Sequence, residues 1–423
     1  MSKSQLHKRL TQEQVVLLLE NYLSREIDLP AVLENLTIKR ARFFRLLKAY
    51  QNNPERFTII PERANYHRKI TKNIETLIKK ELQKEQTLIQ NKDMPIRSYN
   101  YSAVRDDLLT QHQIKVSVPT IINRAKHWGY YLPQKPRRVH DRVVLTNFVG
   151  ELVQHDSSHH LWSPFMEQKL YLITSLDDYS RLLLYAELVE SETSWTHILA
   201  LESVIMRYGC PLKYYADQHS VFRYVKNRDQ FRPHQTYSKF TDDVDTQFKQ
   251  VLKACGTELI YALSPQAKGK IERPYGWLQD RIVRTCAKEK ITILAEVRGV
   301  LKDLVYQYNH RWVHSTTKEI PAVRFERARE EGKSLLRPFT IKNPLESSKD
   351  IFCLREQRVV NNYRKLSLHN LELTVTGVPP RYPVDLRIVP NAKAGLTEVR
   401  IWFRGKLVST QLVKNQDLGL VYF

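Results

Sequence analysis

The chain has 423 residues, with 67 Lys or Arg against 45 Asp or Glu and a formal net charge of +22. Hydrophobic residues make up 42% and charged residues 26%, which excludes a fibrous or broadly disordered chain and supplies cores for about two to four domains. The positive charge is spread over long mixed segments, so a long polyanion is a better partner than an anionic membrane surface. Cys210, Cys255, Cys286 and Cys353 form no CxxC pair and read as buried thiols of a reducing compartment rather than a zinc set. The start, MSKSQLHKRL, has no apolar signal core, and no apolar run reaches membrane-spanning length. A cytoplasmic protein acting on DNA, with no membrane partner, is expected.

Residues 1–140 are the most basic part, with 26 Lys or Arg against 13 Asp or Glu. QEQVVLLLENYL (12–23) predicts a helix capped by Thr11, with Gln14 three positions on. DLPAVLENL and KRARFFRLLKAY predict two more. A short helix, a turn and a helix carrying Lys39, Arg40, Arg42 and Arg45 form the pattern of a helix-turn-helix, assigned to a DNA-binding domain over 1–60. A small bundle with a solvated basic face is the plainer alternative, and DNA contact is preferred. Residues 51–70, with Pro54 and Pro61, read as a linker.

Residues 61–140 read as a second helix-turn-helix domain followed by a basic linker. Helices are expected over 72–88 and 102–113, and Ser117 caps a third with Pro119 in its first turn. Thr120, Asn123, Arg124 and Lys126 lie on the expected reading face, while His127 and Trp128 pack or touch phosphate. PQKPRRVHDR, with Arg137 and Arg138, suits a groove or phosphate backbone.

From 141 to 335 the periodicity changes. ELVQHDSSH predicts a strand ending at Asp156; KLYLITSLDDYS and RLLLYAELVE predict two more, with Asp177 and Asp178 in the turn between them. A helix (SWTHILALESVIMRYG), a strand ending on Asp217 (PLKYYAD), a helix (TQFKQVLKACG), a strand (ELIYAL) and a long helix containing Glu272 follow. Such an order predicts a mixed sheet with helices on its faces, and carboxylates at strand ends are where these folds place chemistry. The polar stretch 220–245 reads as an exposed excursion, equally a DNA contact or a variable surface loop. Residues 292–330 are expected to be helical and 335–350 a linker. Residues 350–423 switch to short β-rich segments, read as a small β-barrel domain.

Three carboxylates in distinctive strings carry the chemistry: Asp156 in LVQHDSSHHLW, Asp217 in YYADQHSVFRY and Glu272 in SPQAKGKIERPYGWLQDR. Acidic residues repel DNA, so their place in a basic chain points to bound divalent cations. Two-metal phosphodiester chemistry needs convergent oxygens around two cations about 4 Å apart, and magnesium prefers oxygen ligands and keeps several waters. Asp156 is assigned as the bridging ligand, Asp217 and Glu272 each to one of two Mg²⁺ or Mn²⁺ ions. His155, His159 and His160 invite a zinc reading, but their spacing around a strand end is a poor ligand set, and His159 or His160 suits positioning of phosphate or water better.

These strings resemble those of DDE-type insertion-sequence transposases with a retroviral-integrase-like catalytic core. LVQHDSSHHLW resembles the family's first catalytic Asp, YYADQHSVF the second, and SPQAKGKIER the catalytic Glu. YNHRWVHSTTKEIPAVRFE is similar to the box that follows the core. The resemblance spans about 10–330, and the β-rich end fits one subgroup. It implies a multidomain chain: N-terminal helix-turn-helix domains that bind terminal inverted repeats, a central α/β RNase H-like (integrase) core, and a C-terminal small β-barrel. It also implies Mg²⁺ or Mn²⁺, double-stranded DNA partners (transposon ends and target), a homodimer or higher homo-oligomer on DNA, and a prokaryotic, nucleoid-associated setting. Asp217 and Glu272 lie 55 positions apart, longer than the family's commonest spacing, and the 220–245 excursion accounts for it. Beside the triad, Lys268, Lys270 and Arg273 are assigned to phosphates near the scissile bond and Gln266 to the transposon end; Trp277 reads as core before base stacking. The expected activity is cleavage at the element's ends and transfer of the 3′-hydroxyl strand into target DNA. The alternatives are a noncatalytic DNA-binding regulator (a domesticated transposase) and a nuclease of the same fold without strand transfer.

Overall fold

The structure is a computed structural model describing residues 6, 9–60, 70–133, 145–217, 245–261, 269–369 and 371–418, with backbone alone over 269–273. It divides into two compact units, Met1–Lys72 and Asn73–Phe423.

In the first unit, α1 (Gln12–Leu23), α2 (Leu29–Leu36) and α3 (Arg40–Asn52) surround a core of Val15, Leu19, Val32, Leu36, Phe43 and Leu47. Thr11 and Gln14 form a reciprocal capping box on α1, each side chain bonding the other's backbone N–H at 3.3 and 3.0 Å. Asp28 caps α2, with Pro30 in the first turn where a missing N–H costs nothing. The expected linker is partly core: Phe57 and Ile59 are buried against these helices.

The second unit begins with α4 (Lys72–Gln90), α5 (Tyr101–His112) and α6 (Val118–His127), packed around Ile78, Leu82, Val104, Leu108, Ile121 and Ala125. Ser117 caps α6 as expected; the cap of α5, Asn100, has no counterpart in the sequence reading.

Next come β1 (Leu152–His160), β2 (Leu170–Asp177), β3 (Leu183–Val189), α7 (Ser194–Tyr208), β4 (Lys213–Ala216), α8 (Gln247–Ala254), β5 (Glu258–Tyr261), α9 (Gly269–Glu289), α10 (Leu294–His310) and α11 (Pro321–Glu330). The strands form one sheet in the order β3-β2-β1-β4-β5, antiparallel from β1 to β3 and parallel from β1 through β4 to β5. One face of the sheet packs through Leu170, Leu172 and Leu176 on Leu278, Ile282 and Val297 of α9 and α10. The other packs through Val153, Tyr214 and Ala216 on Ile198, Leu201 and Phe248 of α7 and α8. β1 does not end at Asp156 but runs four residues further, because Ser157–His160 stay paired with Leu170–Ile173.

Two expectations fail beyond this core. The start of 335–350, read as a linker, is pinned to the core together with the residues just before it: Ser334 bridges Val149, Arg337 bridges Cys210, and Leu336 and Phe339 pack on the apolar cluster. Gly209, at φ +100°, is required there, since a Cβ would lie 2.6 Å from the Arg337 carbonyl oxygen.

The C-terminal β-barrel is also corrected. Strands β6 (Leu354–Val359), β9 (Pro383–Asn391), β10 (Leu396–Phe403) and β11 (Lys406–Lys414) form an open antiparallel sheet in the order β11-β10-β9-β6. β7 (Lys365–Leu368) and β8 (Leu371–Thr374) form a separate hairpin. Among the described residues no pairing joins the outer strands β6 and β11, and closure requires that pairing. The buried side chains Val384, Leu386 and Ile388 instead share one apolar cluster with Leu366, Leu368 and Leu373 of the hairpin and with α7 and α8. Covering the apolar face with another layer removes the need to curl the sheet on itself.

Polar contacts join α9 to the α4–α6 bundle. The Arg284 guanidinium, 2% exposed, pairs with the equally buried Glu85, donates at 2.9 Å to Asp280 and at 2.6 Å to the Ser98 carbonyl. Arg281 pairs with Asp106 at 2.7 Å, Lys288 with Asp107, and Asn100 donates to Asp280. Removing one member strands a buried charge, so Arg284→Ala is expected to cost about 3–5 kcal/mol in denaturant unfolding, with Glu85→Leu/Arg284→Met recovering most of it.

Candidate active site

β1 is the middle strand, and its pleat sends alternate side chains to opposite faces. Gln154, Asp156 and Ser158 share the α9 face; His155 and Ser157 share the α7 face. The parallel register pairs Gln154 with Tyr215. Carried on by two residues, it sets Asp217, just past the end of β4, beside Asp156, and neighbouring strands lie about 4.8 Å apart. Asp156 and Asp217 thus lie on neighbouring segments of the sheet, and both are partly exposed.

Helix α9 reads that face in two places. Thr174, directly across from Asp156, donates from Oγ1 to the Tyr275 hydroxyl at 2.8 Å, and Gln279 donates at 2.7 Å to Ser158 Oγ. Burial foremost, then the negative charge of Asp156, with Glu192 and Asp217 adding to it, push the Tyr275 hydroxyl well above the usual tyrosine range. Tyr275 therefore stays protonated beside Thr174. Glu272 lies on α9 three residues before Tyr275, but its side chain is outside those described, as are those of Lys270 and Arg273. Gln266, Lys268, Arg137, Arg138 and the 220–245 excursion up to residue 244 also fall outside the described residues. Among the described residues, no group of three or more His, Cys, Asp or Glu is arranged to hold a metal ion.

The histidines divide by face. His159 stacks on Tyr171 at 4.2 Å between ring centroids, and His160 meets Trp162 edge-on at 5.5 Å. Burial first, then Lys169 and His159, hold His160 below its ordinary pKa. His155 is fully buried, with Nδ1 2.9 Å from Ser175 Oγ and Nε2 2.8 Å from Nδ1 of the buried His197. His197 Nε2 lies 2.9 Å from Glu192 Oε1, which accepts from Ser157 Oγ at 2.5 Å. Sequence reasoning missed Glu192, His197, Thr174 and Tyr275; the run of His155, Asp156 and Ser157 at alternating strand positions was the available signal.

Asp177 and Asp178, read as turn residues, are both buried at the β2–β3 turn. Asp177 accepts from Gly150 N and Ser180 N at 2.8 Å and from Ser180 Oγ at 2.5 Å. Asp178 accepts from Gln154 at 2.6 Å, Thr146 at 2.7 Å and Arg181 at 3.1 Å. Their oxygens are occupied in holding the sheet edge. Trp277 is partly buried and meets Trp312 edge-on at 4.6 Å, as a core residue does.

Of the expected DNA contacts, Lys39, Arg40, Arg42 and Arg45 lie at the start and along α3, all exposed. On α6, Asn123 and Lys126 are exposed and Thr120 half-buried, while Arg124 is tied to Glu75 at 2.7 Å. No helix among the described residues is long and apolar enough to cross a membrane.

No family model matches the chain. A putative transposase of Sinorhizobium fredii, y4bF, is 29% identical over 248 residues, 58% of this chain and 49% of that protein. The transposase for insertion sequence IS1202 of Streptococcus pneumoniae is 30% identical over 183 residues, 43% of this chain and 37% of that protein. The chain thus matches half or less of the length of these curated relatives. Among solved structures, a simian T-cell lymphotropic virus intasome in complex with a PP2A regulatory subunit is similar at 13% identity and a TM-score of 0.35, covering 75% of this chain and 92% of that one. The HTLV-2 integrase catalytic core in complex with magnesium gives 16% identity and a TM-score of 0.32, covering 44% and 99%.

If Asp177 is structural, Asp177→Ala leaves three donors without their acceptor. Thermal or denaturant unfolding is expected to register a loss of about 3 kcal/mol or more, and a loss under about 1 kcal/mol would refute the assignment.

Proposed function

We propose that this chain, homologous in sequence to insertion-sequence transposases, is a DDE-type polynucleotidyl transferase that cuts the DNA ends of a mobile element and joins the freed 3′-hydroxyl to target DNA. The observation that supports this reading is the parallel pairing of β1, which carries Asp156, with β4, which leads into Asp217. Glu272 lies on α9 three residues before Tyr275. Asp156, Asp217 and Glu272 form the proposed catalytic and metal-holding set.

The donors fit a hard cation: they are carboxylate oxygens, and the nearby histidine rings of β1 are engaged with Ser175, His197, Tyr171 and Trp162. Bound Mg²⁺ or Mn²⁺, two ions per site, would activate the attacking oxygen and stabilise the leaving 3′-oxygen. The chain's own contribution is to hold the carboxylates. β1 fixes Asp156 through its pairing with Thr174 of β2, β4 leads directly into Asp217, and Thr174 and Ser158 fix α9 against the sheet through Tyr275 and Gln279. The protonated Tyr275 hydroxyl adds no charge to a site already crowded with carboxylates.

The basic helix α3 suits phosphate contact, with the α4–α6 bundle as a second DNA-binding element and a homodimer or higher oligomer as the working form on DNA. Domains over 1–60, 61–140, 141–335 and 350–423 are proposed to divide these tasks. Lys268, Lys270, Arg273 and Gln266 are proposed to meet the DNA at the cleaved end.

Purified protein incubated with its own element's labelled ends and Mg²⁺ or Mn²⁺ is expected to nick at the repeat ends and yield joined products. Asp156→Asn should lower both steps roughly a hundredfold or more while keeping the unfolding midpoint. Cleavage without joining, even with precut ends supplied, would favour a nuclease; site binding with no metal-dependent cleavage would favour a DNA-binding regulator. In binding titrations, Arg42→Ala/Arg45→Ala is expected to lower the slope of log K against log salt by about 0.9 for each phosphate that the two arginines neutralise. An unchanged slope would remove α3 from the interface.

A further inference from the structure

We propose that Glu192, in the turn between β3 and α7, is a positioning residue for the catalytic Asp156; the inference rests on the transferase reading above. Asp156 is flanked on β1 by His155 and Ser157, whose side chains point to the opposite face of the sheet. Both lead to Glu192. Ser157 Oγ donates to Glu192 Oε1 at 2.5 Å, and His155 reaches the same oxygen through His197, at 2.8 and 2.9 Å. The side chains close a ring around the strand segment that carries Asp156.

With both rings neutral and Glu192 ionised, the ring has one consistent set of protons. A carboxylate only accepts, so His197 carries its proton on Nε2 and presents a bare Nδ1. His155 then donates from Nε2 and accepts at Nδ1 from Ser175 Oγ, directly across the β1–β2 ladder. Glu192 therefore sets both tautomers. His155 and His197 are fully buried, packed on Phe248 and Tyr214, so no water replaces a missing partner cheaply. Thr193 and Thr196 form a capping box on α7 beside Glu192, fixing where the carboxylate enters. The ring thereby holds the strand on both sides of Asp156 from behind, while Thr174 and Tyr275 hold the front.

The test compares wild type, Glu192→Ala, Glu192→Gln and Ser157→Ala in the full chain. Cleavage kcat and KM, Mn²⁺ affinity by calorimetry and unfolding midpoints are measured for each. Misplacing a catalytic group costs up to about a hundredfold, so Glu192→Ala is expected to lower kcat roughly ten- to a hundredfold and to weaken Mn²⁺ binding about tenfold, with KM for DNA little changed. Ser157→Ala should move the same quantities in the same direction by less. Glu192→Gln keeps an acceptor oxygen for both donors and should restore most of kcat and Mn²⁺ affinity. Equal losses in the Gln and Ala variants at unchanged midpoints would overturn positioning, because the charge itself would then be the active element. If wild type neither cleaves nor joins DNA, the transferase reading falls, and the Mn²⁺ titration still decides: equal affinity in wild type and Glu192→Ala overturns the role of Glu192, and a tenfold loss sustains it.

Discussion

The alternation of side chains along β1 is the constraint on which the core depends. The strand is paired antiparallel to β2 over Val153–His160 and parallel to β4 over Leu152–Gln154, and neither of its faces is solvent-covered along its first half. Gln154, Asp156 and Ser158 must meet α9; Val153, His155 and Ser157 must meet α7 and α8. A slip of one residue would turn Asp156 into the buried face and His155 into the site. Its polar side chains therefore do two things at once, and both work in a single register.

Polar contacts set that register more than they stabilise the fold. The two apolar clusters on either side of the sheet supply non-directional burial at about 25 cal/mol per Å², and Leu, Ile and Val side chains tolerate small shifts. A buried hydrogen bond adds a net of only about 0.5–1.5 kcal/mol but costs more when left unmade. His155 with His197, Asp177 with Gly150 and Ser180, and Thr174 with Tyr275 penalise every arrangement but one. Arg284 with Glu85 does the same between α9 and the α4–α6 bundle. Helix α9 is thus held beside the carboxylates by Tyr275 and Gln279 and, further along, by Arg281, Arg284 and Lys288.

The positive charge is organised in two ways. On α3 it is exposed and its acidic competitors are few. On α6 and α9 much of it is spent internally: Arg124 pairs with Glu75, Arg281 with Asp106 and Lys288 with Asp107. Formal net charge therefore overstates what these helices offer a polyanion. In the C-terminal sheet, the edge strands carry Lys406 and Lys414 on β11 and Arg355 and Arg358 on β6, and charged edges discourage pairing with other chains.

The elements themselves were legible in the sequence, because helix and strand periodicities and caps such as Thr11–Gln14 and Ser117 act over three or four residues. Every helix and strand expected between 150 and 330 is present, as is the placement of Asp156 on one strand and Asp217 at the end of another. The sequence also separated Asp177 and Asp178 from the site, since DDYS reads as a turn. It misjudged the end of β1, the segment after Ser334 and the closure of the C-terminal sheet, where the outcome depends on which distant partner a segment meets. The surroundings of Asp156 belong to the same class: Ser157 meets Glu192 across 35 positions, His155 meets His197 across 42 and Thr174 meets Tyr275 across 101. Local pattern determined which residues carry the chemistry; the tertiary structure decided which groups hold them, because those contacts form only once the sheet has brought distant chain segments together.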